Sequence, residues 1–153
     1  MSSLNLYLPI KAYSLNNMFY GNRHIKKTEA RNWEIEILHY ISSKIDQDAI
    51  KAFTALFDPK KHGIVIKLTY YYPKAELITK AGTLSSKSFD LSNVEKPLID
   101  VLMLAKYSDS SITNLEIDDK FIVDLESKKR IGNEHSISVN FQLVELESYF
   151  GKI

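Results

Sequence analysis

The 153-residue chain has no cysteine. That absence excludes disulfides, thiolate catalysis and any zinc or iron–sulfur site built on sulfur. Glycine and proline are scarce, at five and four residues, so no Gly-rich phosphate-cradling loop is present and nucleotide hydrolysis has no support. No apolar run approaches the roughly 20 residues that span a bilayer. Met1-Ser2-Ser3-Leu4 lacks the basic and apolar regions of a signal peptide. A soluble, cytoplasmic protein is the expectation. The length suits one domain with a core able to fold without staples. The four histidines, His24, His39, His62 and His135, lack metal-ligand spacing.

A formal net charge of +1 is also an absence, that of a bulk field able to coat nucleic acid. It arises by cancellation. Residues 1–76 carry 11 basic and 7 acidic side chains; residues 77–153 carry 9 and 12. Between Asp90 and Glu126 nine acids meet three bases. Lys74, Lys80 and Lys87 precede this block and Lys128-Lys129-Arg130 follow it. Carboxylates for a cation beside lysines for a polyanion suit a metal-dependent phosphodiesterase. Solvated loops and helix faces give the same pattern.

Periodicity supplies the elements. Leu4-Asn5-Leu6-Tyr7-Leu8 alternates as a strand ending at Pro9. Lys11–Lys27 reads as a long loop. Thr28 serves as an N-cap before a helix over 29–44, marked by Trp33, Ile37, Tyr40 and Ile41. A second helix is expected near Asp48–Phe57. Residues 63–72 form the strongest strand, with Tyr71 facing away from Tyr70 and Tyr72. That aromatic run suits packing or base stacking. Lys74–Ser88 reads as loop, and residues 93–106 as a helix with an apolar stripe at Val94, Leu98, Val101, Leu102 and Ala105. A polar connection, Tyr107–Asn114, comes next. Residues 121–126 and 135–146 alternate as strands, and Gly132-Asn133 predicts a hairpin between them. The sum is a single α+β domain over 1–153, with a mixed, largely antiparallel sheet flanked by helices.

The stretch with chemistry is Phe89-Asp90-Leu91-Ser92-Asn93-Val94-Glu95-Lys96-Pro97-Leu98-Ile99-Asp100. Asn93, Lys96 and Asp100 share one helical face, opposite the apolar stripe. Asp90 precedes the helix, where it caps free N–H groups or ligates a metal. Ser92-Asn93-Val94-Glu95 matches a capping box. Pro97 removes an early helical bond, so the first turn should be irregular. Asp118-Asp119 is the second feature. Two adjacent acids make a solvated turn or, around Mg²⁺, part of an oxygen ligand set.

Together these features resemble the RusA family of Holliday-junction resolvases of bacteria, prophages and phages. The carriers are Asp90, Asn93, Lys96, Asp100 and the pair Asp118-Asp119, in that order, with the early Asn16-Asn17 followed by Met18-Phe19-Tyr20. The chain departs from the family pattern in three ways. Ser92 stands where well-known members have a second Asp, the connection from Asp100 to Asp118 is longer, and a helix is added around residues 46–57. The resemblance implies a homodimer in a bacterial host's cytoplasm that nicks opposed strands of a four-way DNA junction. It implies Mg²⁺, or Mn²⁺, held by Asp90, Asp118 and Asp119, and Lys96 stabilising charge on the phosphate. Ser92, Asn93 and Asp100 would support them. Asn16, Asn17, Lys74, Lys80, Lys87, Lys128, Lys129 and Arg130 would contact DNA. It implies neither a nucleotide cofactor nor a membrane. A junction-binding protein without turnover and an interaction module without DNA are the other classes compatible with the sequence.

Overall fold

In the computed structural model, β1 (Ser3–Leu8) buries Leu4, Leu6 and Leu8 and exposes the residues between them, as the period of two requires. The structure describes residues 2–17, 27–103 and 115–151. Met18, Phe19, Tyr20 and His24, the last turn expected for the 93–106 helix and the connection Tyr107–Asn114 lie outside the described residues.

Helix α1 (Thr28–Lys44) packs Trp33, Ile37, Leu38 and Ile41 into the core. Thr28 is already helical, and Lys27 takes the capping position. Helix α2 (Gln47–Leu56) is the expected second helix. Asp46 caps it, accepting from the amides of Asp48 at 2.9 Å and Ala49 at 3.3 Å. Strand β2 (His62–Tyr72) is the longest, and Ile64, Ile66, Leu68, Tyr70 and Tyr72 on one face are all buried. Tyr71 points the other way, half-exposed, as the alternation requires.

The segment read as loop after Pro73 contains a one-turn helix, α3 (Lys74–Leu77). Helix α4 (Leu91–Met103) starts two residues earlier than the sequence pattern suggests. Pro97 therefore sits beyond the first turn, buried within a helix that continues through it. The Tyr70 hydroxyl donates to the nearby Val94 carbonyl at 3.2 Å and ties α4 to the centre of the sheet. Burial, reinforced by Glu95 and Tyr72 nearby, pushes that phenol well above its usual range.

Strands β3 (Ile122–Ile131) and β4 (Ser136–Glu145) do not form the expected hairpin. The sheet order is β1-β4-β2-β3, with β3 parallel to β2 and the other pairings antiparallel. The chain leaves β3, crosses the end of β2 and enters on its other side. Strand composition explains the correction. Ile137, Val139, Phe141 and Leu143 of β4 need a buried central position, whereas β3 carries Asp124, Glu126, Lys128, Lys129 and Arg130 and suits an edge. The Gly132 amide donates to the Tyr72 carbonyl at 2.9 Å at the crossing. A Cβ there would lie 2.9 Å from Tyr71 Cβ, so glycine is what lets the chain pass. Helix α5 (Leu146–Phe150) ends the described fold. Among the described residues no helix is long and apolar enough to cross a membrane.

One polar cluster ties α3 to the sheet. Glu76 bonds His135 and pairs with Lys11 at 3.7 Å. Desolvation pushes the Glu76 carboxyl up, but His135 and Lys11 together outweigh it and leave it below its ordinary 4.5. The folded carboxyl thus titrates below its unfolded value. The stabilisation is fully present above pH 4.5 and is lost as pH falls through the folded value. Thermal melts of Glu76→Gln should lose less stability than wild type below that pH. The difference should be about 0.2–1 kcal/mol, given the cluster's partial exposure.

Candidate active site

The stripe Ser92, Glu95, Lys96, Ile99 and Asp100 recurs at i, i+3, i+4, i+7 and i+8, so one side of α4 carries all five. This side faces β3 across a trough of about 290 Å³, closed by Asp119, Ile122 and Leu125. Asp119 reaches the trough because the chain folds back onto the end of α4. There the amides of Leu115 and Ile117 donate to the carbonyls of Leu102 and Met103 at 3.1 and 3.2 Å. Both side chains are buried, and Glu116 between them takes φ 53°, in the left-handed region. Asp118-Asp119 follows, and Asp119 lines the same trough as Asp100.

The two aspartates part at this point. Asp118 caps a single 3-10 turn, Asp119–Phe121, accepting from the Lys120 amide at 2.9 Å. Asp119 lines the trough. Asp90 stands exposed just before α4, outside the trough lining, because the helix starts at Leu91 and the inward stripe starts at Ser92. Of the three carboxylates expected to share a cation, the trough holds Asp119. Asn93 is half-buried on the adjacent side of the helix. Lys96 and Asp100 pair at 3.4 Å, so Asp100 holds the ammonium over the trough.

Glu95 is the residue sequence reasoning missed. It does not reach back as a capping-box partner; it accepts from the Ser127 hydroxyl of β3 and clamps α4 to the sheet. Its signal was its place on the stripe with Ser92 and Ile99. The basic run after the acidic block splits by strand alternation. Lys129 lies on the helix side and donates to Ser88 Oγ at 3.0 Å, whereas Lys128 and Arg130 project from the opposite face. Lys74, Lys80 and Lys87 are exposed around α3 and the loop after it. Asn16 and Asn17 sit exposed in a short 3-10 turn that packs against α4.

The trough is oxygen-only in its candidate ligands: the carboxylates of Asp119, Asp100 and Glu95 and the Ser92 hydroxyl. That set fits Mg²⁺ in kind, since Mg²⁺ takes one or two carboxylates and completes its shell with water and phosphate. Among the described residues no three carboxylates or histidines stand together as a ready-made cage. Two imidazoles are engaged otherwise, with His62 accepting from the Asp58 amide at 2.9 Å and His135 bonded to Glu76. No protein-family model and no curated protein matches the chain.

Proposed function

We propose that the trough between α4 and β3 is the active site of a Mg²⁺-dependent endodeoxyribonuclease that nicks four-way DNA junctions as a homodimer. One observation carries the reading: Asp119 lies in the same trough as Lys96 and Asp100, although a long connection separates them in sequence. Asp119 and Asp100 would hold the cation, and the Ser92 hydroxyl would fix a neighbouring water. Bound there, Mg²⁺ supplies activation of water and neutralisation of phosphate charge. Lys96 moves from Asp100 toward the scissile phosphate and offsets the charge that develops on it. Lys129 and the adjacent Lys87 contact the flanking backbone without reading sequence.

The test is a labelled synthetic four-way junction incubated with the protein and Mg²⁺ or Mn²⁺. Paired nicks near the crossover are expected; their absence at every metal concentration would refute the nuclease. A second reading, junction binding without cleavage, is favoured by the position of Asp90 outside the trough lining and by Ser92 in place of an acid. Under it, binding persists in chelator and metal addition produces no nicks.

A further inference from the structure

Strand β3 is one of the two outer strands of the sheet, β1 being the other, so one row of its backbone groups has no strand partner among the described residues. Such edges are normally shielded by charged side chains, lysine above all. Here the charges are divided. Asp124, Glu126, Lys128 and Arg130 project from the face away from the helices, all exposed, two acids followed by two bases. The same strand exposes the apolar Leu125 and Ile131.

This order is self-complementary when a second copy runs antiparallel about a two-fold axis through Ser127. Directly opposite residues in an antiparallel pair share a face. Asp124 then meets Arg130 of the second copy, and Glu126 meets its Lys128; symmetry repeats both contacts. Ser127 meets itself, and Ile131 falls against the Val123 region. Sliding the pair by two residues one way sets Glu126 against Glu126, and the other way Lys128 against Lys128. A slide of one residue sends the charged sets to opposite faces. The charge pattern thus selects one register.

We infer that β3 is a homodimerisation edge, and that two copies pair antiparallel through it in the register set by Asp124 with Arg130 and Glu126 with Lys128. Neighbouring groups on the same face allow it. Val65, Lys67, Thr69 and Tyr71 of β2 lie beside Asp124, Glu126, Lys128 and Arg130 in turn. The Tyr149 hydroxyl reaches the Val123 carbonyl at 3.5 Å next to Asp124, and Arg130 Nη1 covers the Lys129 carbonyl at 2.9 Å. Arg130 exchanges that carbonyl for the acid of the second copy. The two-fold axis, perpendicular to the sheet, keeps both helix layers on one side and sets the two α4–β3 troughs next to the axis. On the helix side Leu125, which lines the trough, falls opposite Lys129 of the second copy, so each trough gains a cation at its rim. The inference deepens the homodimer of the proposed function without depending on its chemistry.

Sedimentation equilibrium on the full chain, with circular dichroism as the check on folding, tests the interface. Wild type should sediment as a dimer. Glu126→Lys and Lys128→Glu should each weaken association by at least about tenfold, because each sets two like-charge pairs opposite one another. The double variant Glu126→Lys/Lys128→Glu should recover the wild-type constant, and the two single variants mixed should form a heterodimer. Asp124→Arg/Arg130→Asp repeats the swap at the outer pairs and replaces any variant that misfolds. A monomeric wild type at high micromolar concentration, or a folded double swap as weak as its singles, would overturn the inference. A dimer that nicks no junction would refute the nuclease and leave the interface standing.

Discussion

Asp119→Asn is expected to abolish Mg²⁺-dependent nicking of a four-way junction while leaving metal-free junction binding unchanged within about twofold. The amide keeps the shape of the carboxylate and removes its charge. Even a change outside the ligand shell lowers metal affinity or activity by about 10–100-fold, so loss of a direct ligand should exceed ~100-fold. Under the proposed function binding survives, because DNA affinity would come from cations such as Lys129 and Lys87, and a neutral residue among them repels phosphate less than an acid does. Stability should move by less than about 0.5 kcal/mol, since Asp119 is exposed and the cap of its turn belongs to Asp118. The neighbouring Asp118→Asn is the internal control. Its side-chain oxygen still accepts from the Lys120 amide, so its nicking rate should stay far closer to wild type. Single-turnover assays of the two variants, with binding measured in chelator, separate the outcomes. Wild-type nicking by Asp119→Asn would remove the trough from consideration as the active site.

That contrast between two adjacent aspartates marks where sequence patterns stop being informative. Period-two and period-3.6 patterns locate β1, β2, β4, α1, α2 and α4, because their buried faces repeat along the chain: Leu4, Leu6 and Leu8 in one, Val94, Leu98, Val101 and Leu102 in another. The helical period likewise sets Lys96 and Asp100 on one side of α4. Strand neighbours were not legible. Gly132-Asn133 carries the same local signal whether the chain turns into a hairpin or crosses the end of β2, and the choice is made by how apolar β4 is relative to β3. Helix α3 escaped because a single turn with one buried residue, Leu77, has no period to detect. Asp118 and Asp119 diverge through the 3-10 turn and the left-handed Glu116, both products of tertiary packing on the end of α4. Glu95 was hidden by a local motif, the capping box, that a contact across the trough overrides. The division of Lys128-Lys129-Arg130 between two faces follows from strand alternation only because β3 runs on to Ile131, past residue 126 where the sequence pattern ends the strand.

Phe141→Ala should cost about 3–5 kcal/mol, the range for truncating a buried aromatic side chain. The ring is fully buried in β4, flanked by Leu4 of β1 and Ile66 of β2 across the sheet, and stands 6.1 Å from the Phe53 ring of α2. Little surrounds it that can collapse into the space, because the backbone on both sides is held by ladder bonds. Against a total stability of about 5–15 kcal/mol for a domain of this kind, the loss would consume a large share and lower the urea midpoint accordingly. Phe141→Leu keeps most of the volume and should cost about 1.5 kcal/mol or less. The effect also has a direction in the structure. Helix α2 buries only Ile50 and Phe53, so the Phe53–Phe141 contact is a main anchor of that helix to the sheet. A double-mutant cycle with Phe53→Ala should therefore return a coupling of about 0.5–1.5 kcal/mol beyond area burial. Additive losses would mean that α2 is held by Ile50 and its cap alone. In that case amide exchange in α2 would be unchanged by Phe141→Ala, whereas the ring contact predicts faster exchange across Gln47–Leu56 than in α1.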